Sequence, residues 1–205
     1  KSYAPAARDE FISAVTARAA ACGISADGFK ELVEEGDVVR IGGEAFPKKV
    51  ARQRKQLKRL IEQADSEGNG FEQVMESMAY TWFIRFMAIR FMEVNGYLEH
   101  GRRVLGHPEG SKTPEILQKA AAVELPGLDR EKAREMKLDG NKNDELYEML
   151  LLAQCRALSE AMPFLFESID DATELLLPDK LLNKGSLIRK LVDEVPEEDW
   201  HEVEI

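Results

Sequence analysis

Long apolar runs are missing from this sequence. No stretch of about eighteen apolar residues occurs in its 205 positions, so it offers no helix long enough to span a bilayer. The opening KSYAPAARDEF lacks the apolar core of a signal peptide, and a reducing, cytoplasmic setting is the expectation. Cysteine is scarce. Cys22 and Cys155 cannot build a disulfide framework, and neither sits in a CxxC pair. HExxH, GxSxG and the P-loop are all absent, which removes the common signatures of zinc proteases, serine hydrolases and nucleoside triphosphatases. No internal repeat or low-complexity tract is present.

What is present is charge. Twenty-eight Lys and Arg stand against 38 Asp and Glu, a net charge of −10, and charged residues make up 32% of the chain. The 44% apolar share still allows a packed interior, so the composition is globular rather than disordered. An acidic total argues against a general coat for nucleic acid while permitting a local basic patch.

Apolar periodicity points to helices. Pro5 suits a first helical position and Gly23 a left-handed cap, which predicts a helix over about 5–22 with Phe11, Val15, Ala19 and Cys22 facing inward. After a short polar stretch, Val38–Ile41 and Glu44–Phe46 flank Gly42-Gly43 and read as a β-hairpin over about 38–46, closed by Pro47. Residues 48–64 form an amphipathic helix with Val50, Leu57, Ile61 and Ala64 on one stripe. SEGNG at 66–70 is a turn. The helix expected at about 72–95, with Trp82, Phe83, Phe86, Met87, Ile89, Phe91 and Met92, has no wide polar face and is therefore a buried central one. Thr113 and Pro114 open a helix running to about Ala122. The segment 129–144 is a solvated helical face or a mobile connection. A long helix from about Asp144 ends near Met162 before Pro163, Phe164–Phe166 is expected to pack, and Ser186 caps a last helix stopped by Pro196. The fold class is thus mainly α: a helical assembly around a buried central helix, with one small hairpin. Its expected organisation is an N-terminal region over 1–127, a charged connection at 128–144, and a C-terminal region over 145–205. Lys1 in place of Met, and a tail with Trp200, Val203 and Ile205 but no stop signal, read as a segment of a longer protein.

Few residues invite chemistry. His100, His107 and His201 lack metal-ligand spacing, and both cysteines fall on apolar helix faces, where small buried hydrophobes are the simpler reading. Gly68-Asn-Gly70 lacks a preceding strand and a third glycine, so it is a turn and not a nucleotide loop. Asp170-Asp171 and Glu197-Glu198-Asp199 sit where acids favour helix N-termini. Arg85 and Arg90 lie within the apolar helix and need partners, and Glu93 stands three residues beyond Arg90. One feature remains. Residues 48–59 hold seven Lys or Arg and no acid, leaving 21 basic against 38 acidic residues elsewhere. Lys48, Arg52, Lys55 and Arg59 fall on the face opposite the apolar stripe. They form either a phosphate-binding ridge or a solvated face paired with acidic neighbours. No aromatic residue interleaves them, so stacking on single-stranded bases is not indicated.

Several blocks carry a resemblance. AYTWFIRFMAIRFMEVNGYL (79–98), GRRVLGHPEG (101–110), TPEIL (113–117), QCRALSEAMPFLFESIDDATELLLPDKLL (154–182) and LVDEVPEEDW (191–200) resemble, in order, the N-terminal region of the PglX family. These are the adenine-specific DNA methyltransferases of BREX phage-defence systems. The resemblance implies a large bacterial parent enzyme that uses S-adenosylmethionine to methylate the N6 of adenine in double-stranded DNA. It implies for this chain a helical accessory role, bracing the catalytic domain and contacting the DNA backbone. The alternative is an interaction module that docks other BREX components or phage inhibitors. The family's tetrapeptide of Asn-Pro-Pro-Tyr type is absent, since the sequence has no Pro-Pro, and no strand leads into a glycine-rich loop. No catalytic, cofactor-binding or metal residue is therefore assigned within the chain.

Overall fold

A computed structural model describes residues 3–66, 68–166 and 171–201. The expected features at Lys1, Glu67, Asp170, Val203 and Ile205 lie outside the described residues. In chain order the elements are α1 (Tyr3–Ala21), β1 (Ile24–Ser25), β2 (Gly28–Phe29), β3 (Leu32–Glu35), β4 (Val38–Ile41), β5 (Glu44–Pro47), α2 (Lys49–Ala64) and α3 (Gly70–Val94). There follow α4 (Glu115–Gln118), a 3₁₀ turn (Ala120–Ala122), α5 (Arg130–Asp139), α6 (Asn143–Ala161), α7 (Asp171–Leu175), α8 (Leu187–Glu194) and a second 3₁₀ turn (Glu197–Trp200). The fold is mainly α with small antiparallel β elements. These elements form two compact units, one holding residues up to 83 with 171–179, the other 84–166 with 180–201. Residues 70–83 of α3 belong to the first and 84–94 to the second.

In the first unit, α1 buries Phe11, Val15, Ala19 and Cys22, as their spacing predicts. Gly23 then turns the chain at φ +72°. A Cβ there would lie 2.4 Å from the Ile41 side chain, so only glycine fits. The expected hairpin is β4–β5, paired from Val38↔Pro47 to Ile41↔Glu44 across Gly42-Gly43, both glycines at positive φ. It is not alone. β3 pairs with β4 from Leu32↔Ile41 to Glu35↔Val38, making three strands, and β1–β2 forms a separate two-residue hairpin. The short polar stretch thus contains strand, and β3 keeps its acidic side chains in solvent. Helix α7 packs against α2, Lys49 Nζ donates to Glu174 at 2.5 Å, and the buried Trp82 indole donates to the Thr173 carbonyl at 3.2 Å.

In the second unit, Arg85, Phe86, Ile89, Arg90 and Glu93 of α3 are buried. Arg90 donates to Glu93 at 2.7 Å, the partner its position predicted. Glu93 also accepts from the backbone N–H groups of Val104, Leu105 and Gly106 at 2.6, 2.7 and 3.1 Å. A side chain at Gly106 would sit 2.7 Å from the Arg90 guanidinium. Arg103 reaches Glu197 with both terminal nitrogens, and Tyr147 of α6 donates to the Val104 carbonyl at 2.9 Å.

Three local expectations change. Pro114 stands at the cap position with ψ 141° rather than inside α4, whose first N–H groups donate to the Gly106 and Arg103 carbonyls. The helix expected to reach Ala122 breaks at Lys119 into a 3₁₀ turn. Phe164 is 78% exposed while Phe166 packs. The charged segment takes the first of its two readings: α5 is a solvated helix capped by Asp129 and closed by Gly140 at φ +72°, burying only Ala133 and Met136. Among the described residues no helix is long and apolar enough to cross a membrane.

Truncating Trp82 to Ala should cost about 3–5 kcal/mol, the range for buried aromatics, and lower the melting temperature sharply. Glu93→Gln should cost a similar amount, about 3–5 kcal/mol, because it strands Arg90 without a counter-charge. Denaturant unfolding of each variant measures both.

Candidate nucleic-acid interface

The basic run lies on α2, and helical geometry sorts its seven cations. At 100° per residue, Lys48, Arg52, Lys55 and Arg59 fall within a sector of about 60°. All four are exposed. The other three are engaged elsewhere. Lys49 pairs with Glu174. Lys58 lies 3.7 Å from Glu62 and 5.3 Å from the centre of the Phe29 ring. Arg54 is buried, and its Nη2 donates to the Lys30 and Gly23 carbonyls at 2.7 and 3.2 Å.

Lys48 occupies the N-cap position with no side-chain cap, and the first turn of α2 contains no acid. Cations at that end oppose the helix dipole. Lys48/Arg52 and Lys55/Arg59 are like-charged pairs four residues apart, each costing a few tenths of a kcal/mol. Lys48, Lys55 and Arg59 make no ion pair with a described residue. The result is a row of cations about 16 Å long at 1.5 Å per residue, open to solvent and suited to phosphate.

Arg54 behaves differently from the other cations of the run, which the sequence reading did not separate, although its place was readable. It falls near the Val50, Leu57 and Ile61 stripe, away from the ridge. Burial lowers its pKa, and its Nε has no partner among the described residues. It joins α2 to the carbonyls on either side of the β1–β2 hairpin, and so fixes which way the opposite face points.

The remaining reactive groups have structural tasks. His100 meets Gln154 at 2.6 Å and His107 meets Gln118 at 3.1 Å, while His201 is exposed. Among the described residues no three His, Cys, Asp or Glu side chains gather as a metal site. Both cysteines are buried, and burial pushes the Cys155 thiol up to about 12, so it is no thiolate at neutral pH. Burial also raises the Glu93 carboxyl, opposed by its backbone donors and Arg90. Gly70 begins α3 and donates to Asp65 at 3.1 Å, with the Ile61 carbonyl 2.4 Å from where a Cβ would be. That is a tight interhelical turn, as the sequence indicated.

No protein-family model matches the chain. Two curated proteins do. The adenine-specific methyltransferase BrxX of Escherichia coli O9:H4 (strain HS) is 47% identical over 212 residues, covering 100% of this chain and 17% of the relative. The adenine-specific methyltransferase PglX of Lacticaseibacillus casei (strain Zhang) is 32% identical over 214 residues, covering 98% of this chain and 18% of the relative. The chain thus spans less than a fifth of the length of the curated relatives it matches, and over that segment it is homologous to the adenine-specific methyltransferases BrxX and PglX.

Proposed function

We propose that this chain is the helical N-terminal accessory segment of an S-adenosylmethionine-dependent adenine-N6 DNA methyltransferase acting in BREX phage defence in the cytoplasm. The observation that carries this reading is the 47% identity to BrxX along the entire chain. Sequence alone assigns the chemistry elsewhere in the parent: this chain has no Pro-Pro, so it cannot supply a tetrapeptide of Asn-Pro-Pro-Tyr type. The cofactor is then held by the parent's catalytic domain, and this segment contributes structure and electrostatics.

Its contribution to DNA binding is the α2 ridge. Lys48, Arg52, Lys55 and Arg59 are long cations with no recognition element beside them, so they neutralise phosphates without reading bases. An acidic chain with one basic row on a helix face admits duplex along that row and repels it elsewhere. The second reading, docking of other BREX components, is favoured by α5, which exposes charged side chains around the apolar Leu138.

In the full-length enzyme, replacing all four ridge residues with Ala should weaken duplex binding equally on every DNA sequence and leave S-adenosylmethionine binding intact. The slope of log affinity against log salt should flatten by close to one for each phosphate that is no longer neutralised. Unchanged affinity at every salt concentration would make the ridge a solvated face. Capture of other BREX proteins without DNA, abolished by substitutions on α5, would then favour the docking reading.

A further inference from the structure

The ridge on α2 has a definite length, width and pair of ends, and these decide how a duplex lies on it. Lys48, Lys55 and Arg59 are exposed and make no ion pair with a described residue. Along the helix axis they stand about 10.5 and 6 Å apart, with Arg52 between the first two. The row is one cation wide. Lys49 on one flank is taken by Glu174, and Lys58 on the other by Glu62 and the Phe29 ring. Both ends are closed: no Lys or Arg occurs at 41–47 or at 60–84, where Glu44, Glu62 and Asp65 are exposed. A polyanion is therefore attracted over about 16 Å and repelled beyond it.

A duplex can meet such a row in three ways. Along one strand, the row faces phosphates about 7 Å apart, since they wind as well as climb; three of them span about 14 Å. Lys48, Lys55 and Arg59 then each have a phosphate, with axial offsets under about 3 Å. Across the minor groove, about 6 Å wide, facing phosphates stand about 12 Å apart between centres, so Lys48 and Lys55 fit and Arg59 overshoots. Across the major groove, about 12 Å wide, the separation is about 18 Å, so Lys48 and Arg59 fit and Lys55 hangs over the opening. Counterion release grows with each phosphate neutralised, which favours the placement that seats all three cations. That placement also leaves both grooves and the opposite strand clear, as extrusion of a base from the stack requires.

We infer that the α2 ridge lies along a single strand of the duplex, with Lys48, Lys55 and Arg59 neutralising three consecutive phosphates of that strand. This rests on the reading of α2 as a DNA-backbone contact and fixes its form: a rail for one strand, not a clamp over a groove.

The test uses the full-length methyltransferase and a duplex that it methylates at a single adenine, so that one register is bound. Phosphate-ethylation interference is compared between the wild type and the K48A/K55A/R59A variant. Positions where ethylation hinders the wild type and not the variant should form one uninterrupted run of about three phosphates on a single strand. The slope of log affinity against log salt should flatten by about 2.7 in the variant, at about 0.9 per phosphate, against about 1.8 for a grip across either groove. Neutral methylphosphonates at the same three positions should flatten the wild-type slope equally, a measurement that needs no variant to fold, and should leave the variant's slope unchanged. Interference positions split between the two strands, or a flattening near 1.8, overturn the inference while keeping α2 as a backbone contact. An identical interference pattern in both proteins refutes the backbone contact itself, and an enzyme that methylates no duplex adenine refutes the parent reading.

Discussion

The carboxylate of Glu93 is the constraint on which the second unit is built. Two oxygens at the buried end of α3 take four N–H donors: three consecutive backbone groups and the Arg90 guanidinium. An ionised side chain in an apolar interior is tolerable only when saturated in this way. The saturation dictates the path of the 103–106 loop, which must present its amides in sequence and keep glycine at 106. That loop in turn offers its carbonyls to the first turn of α4 and to Tyr147 of α6. Arg103, pointing out of the same loop, grips Glu197 and ties in the 3₁₀ turn at Glu197–Trp200. One buried charge thereby organises four elements that share no regular hydrogen-bond ladder.

The first unit solves the converse problem. There the buried charge is a cation, Arg54, and its partners are carbonyl oxygens rather than a carboxylate. Carbonyl dipoles compensate a guanidinium less completely than a counter-ion does, in keeping with its lowered pKa. The arrangement leaves Lys48, Lys55 and Arg59, on the exposed side of α2, without an ion pair to a described residue. A helix anchored from beneath by one arginine can carry Lys48, Lys55 and Arg59 on top without relying on them for its own stability.

The parts of this architecture that are legible in the sequence are those with strong periodicity. Phe11, Val15, Ala19 and Cys22 fall at helical spacing and are buried. Trp82, Phe86 and Ile89 sit in a helix without a polar face and are buried. Gly42-Gly43 marks a hairpin because a two-residue turn needs positive φ at both positions. What escapes detection has weak or tertiary causes. Strand β3 exposes Val33 and two glutamates and gains its regularity only from pairing with β4. The place of Pro114 follows from carbonyls of the 103–106 loop, which no local pattern announces. At the candidate site, the four ridge cations are legible from 100° geometry alone. The burial of Arg54 is equally implied by that geometry, but a count of like charges hides which member turns inward.

Each unit also encloses a single thiol, Cys22 in the first and Cys155 in the second, both without exposure to solvent. A buried thiol whose pKa stands near 12, as at Cys155, is inert to alkylating reagents until its surroundings come apart. The two cysteines are therefore built-in clocks. Their rates of modification in the native protein separate the opening of one unit from that of the other, with no introduced label and within one unmodified chain.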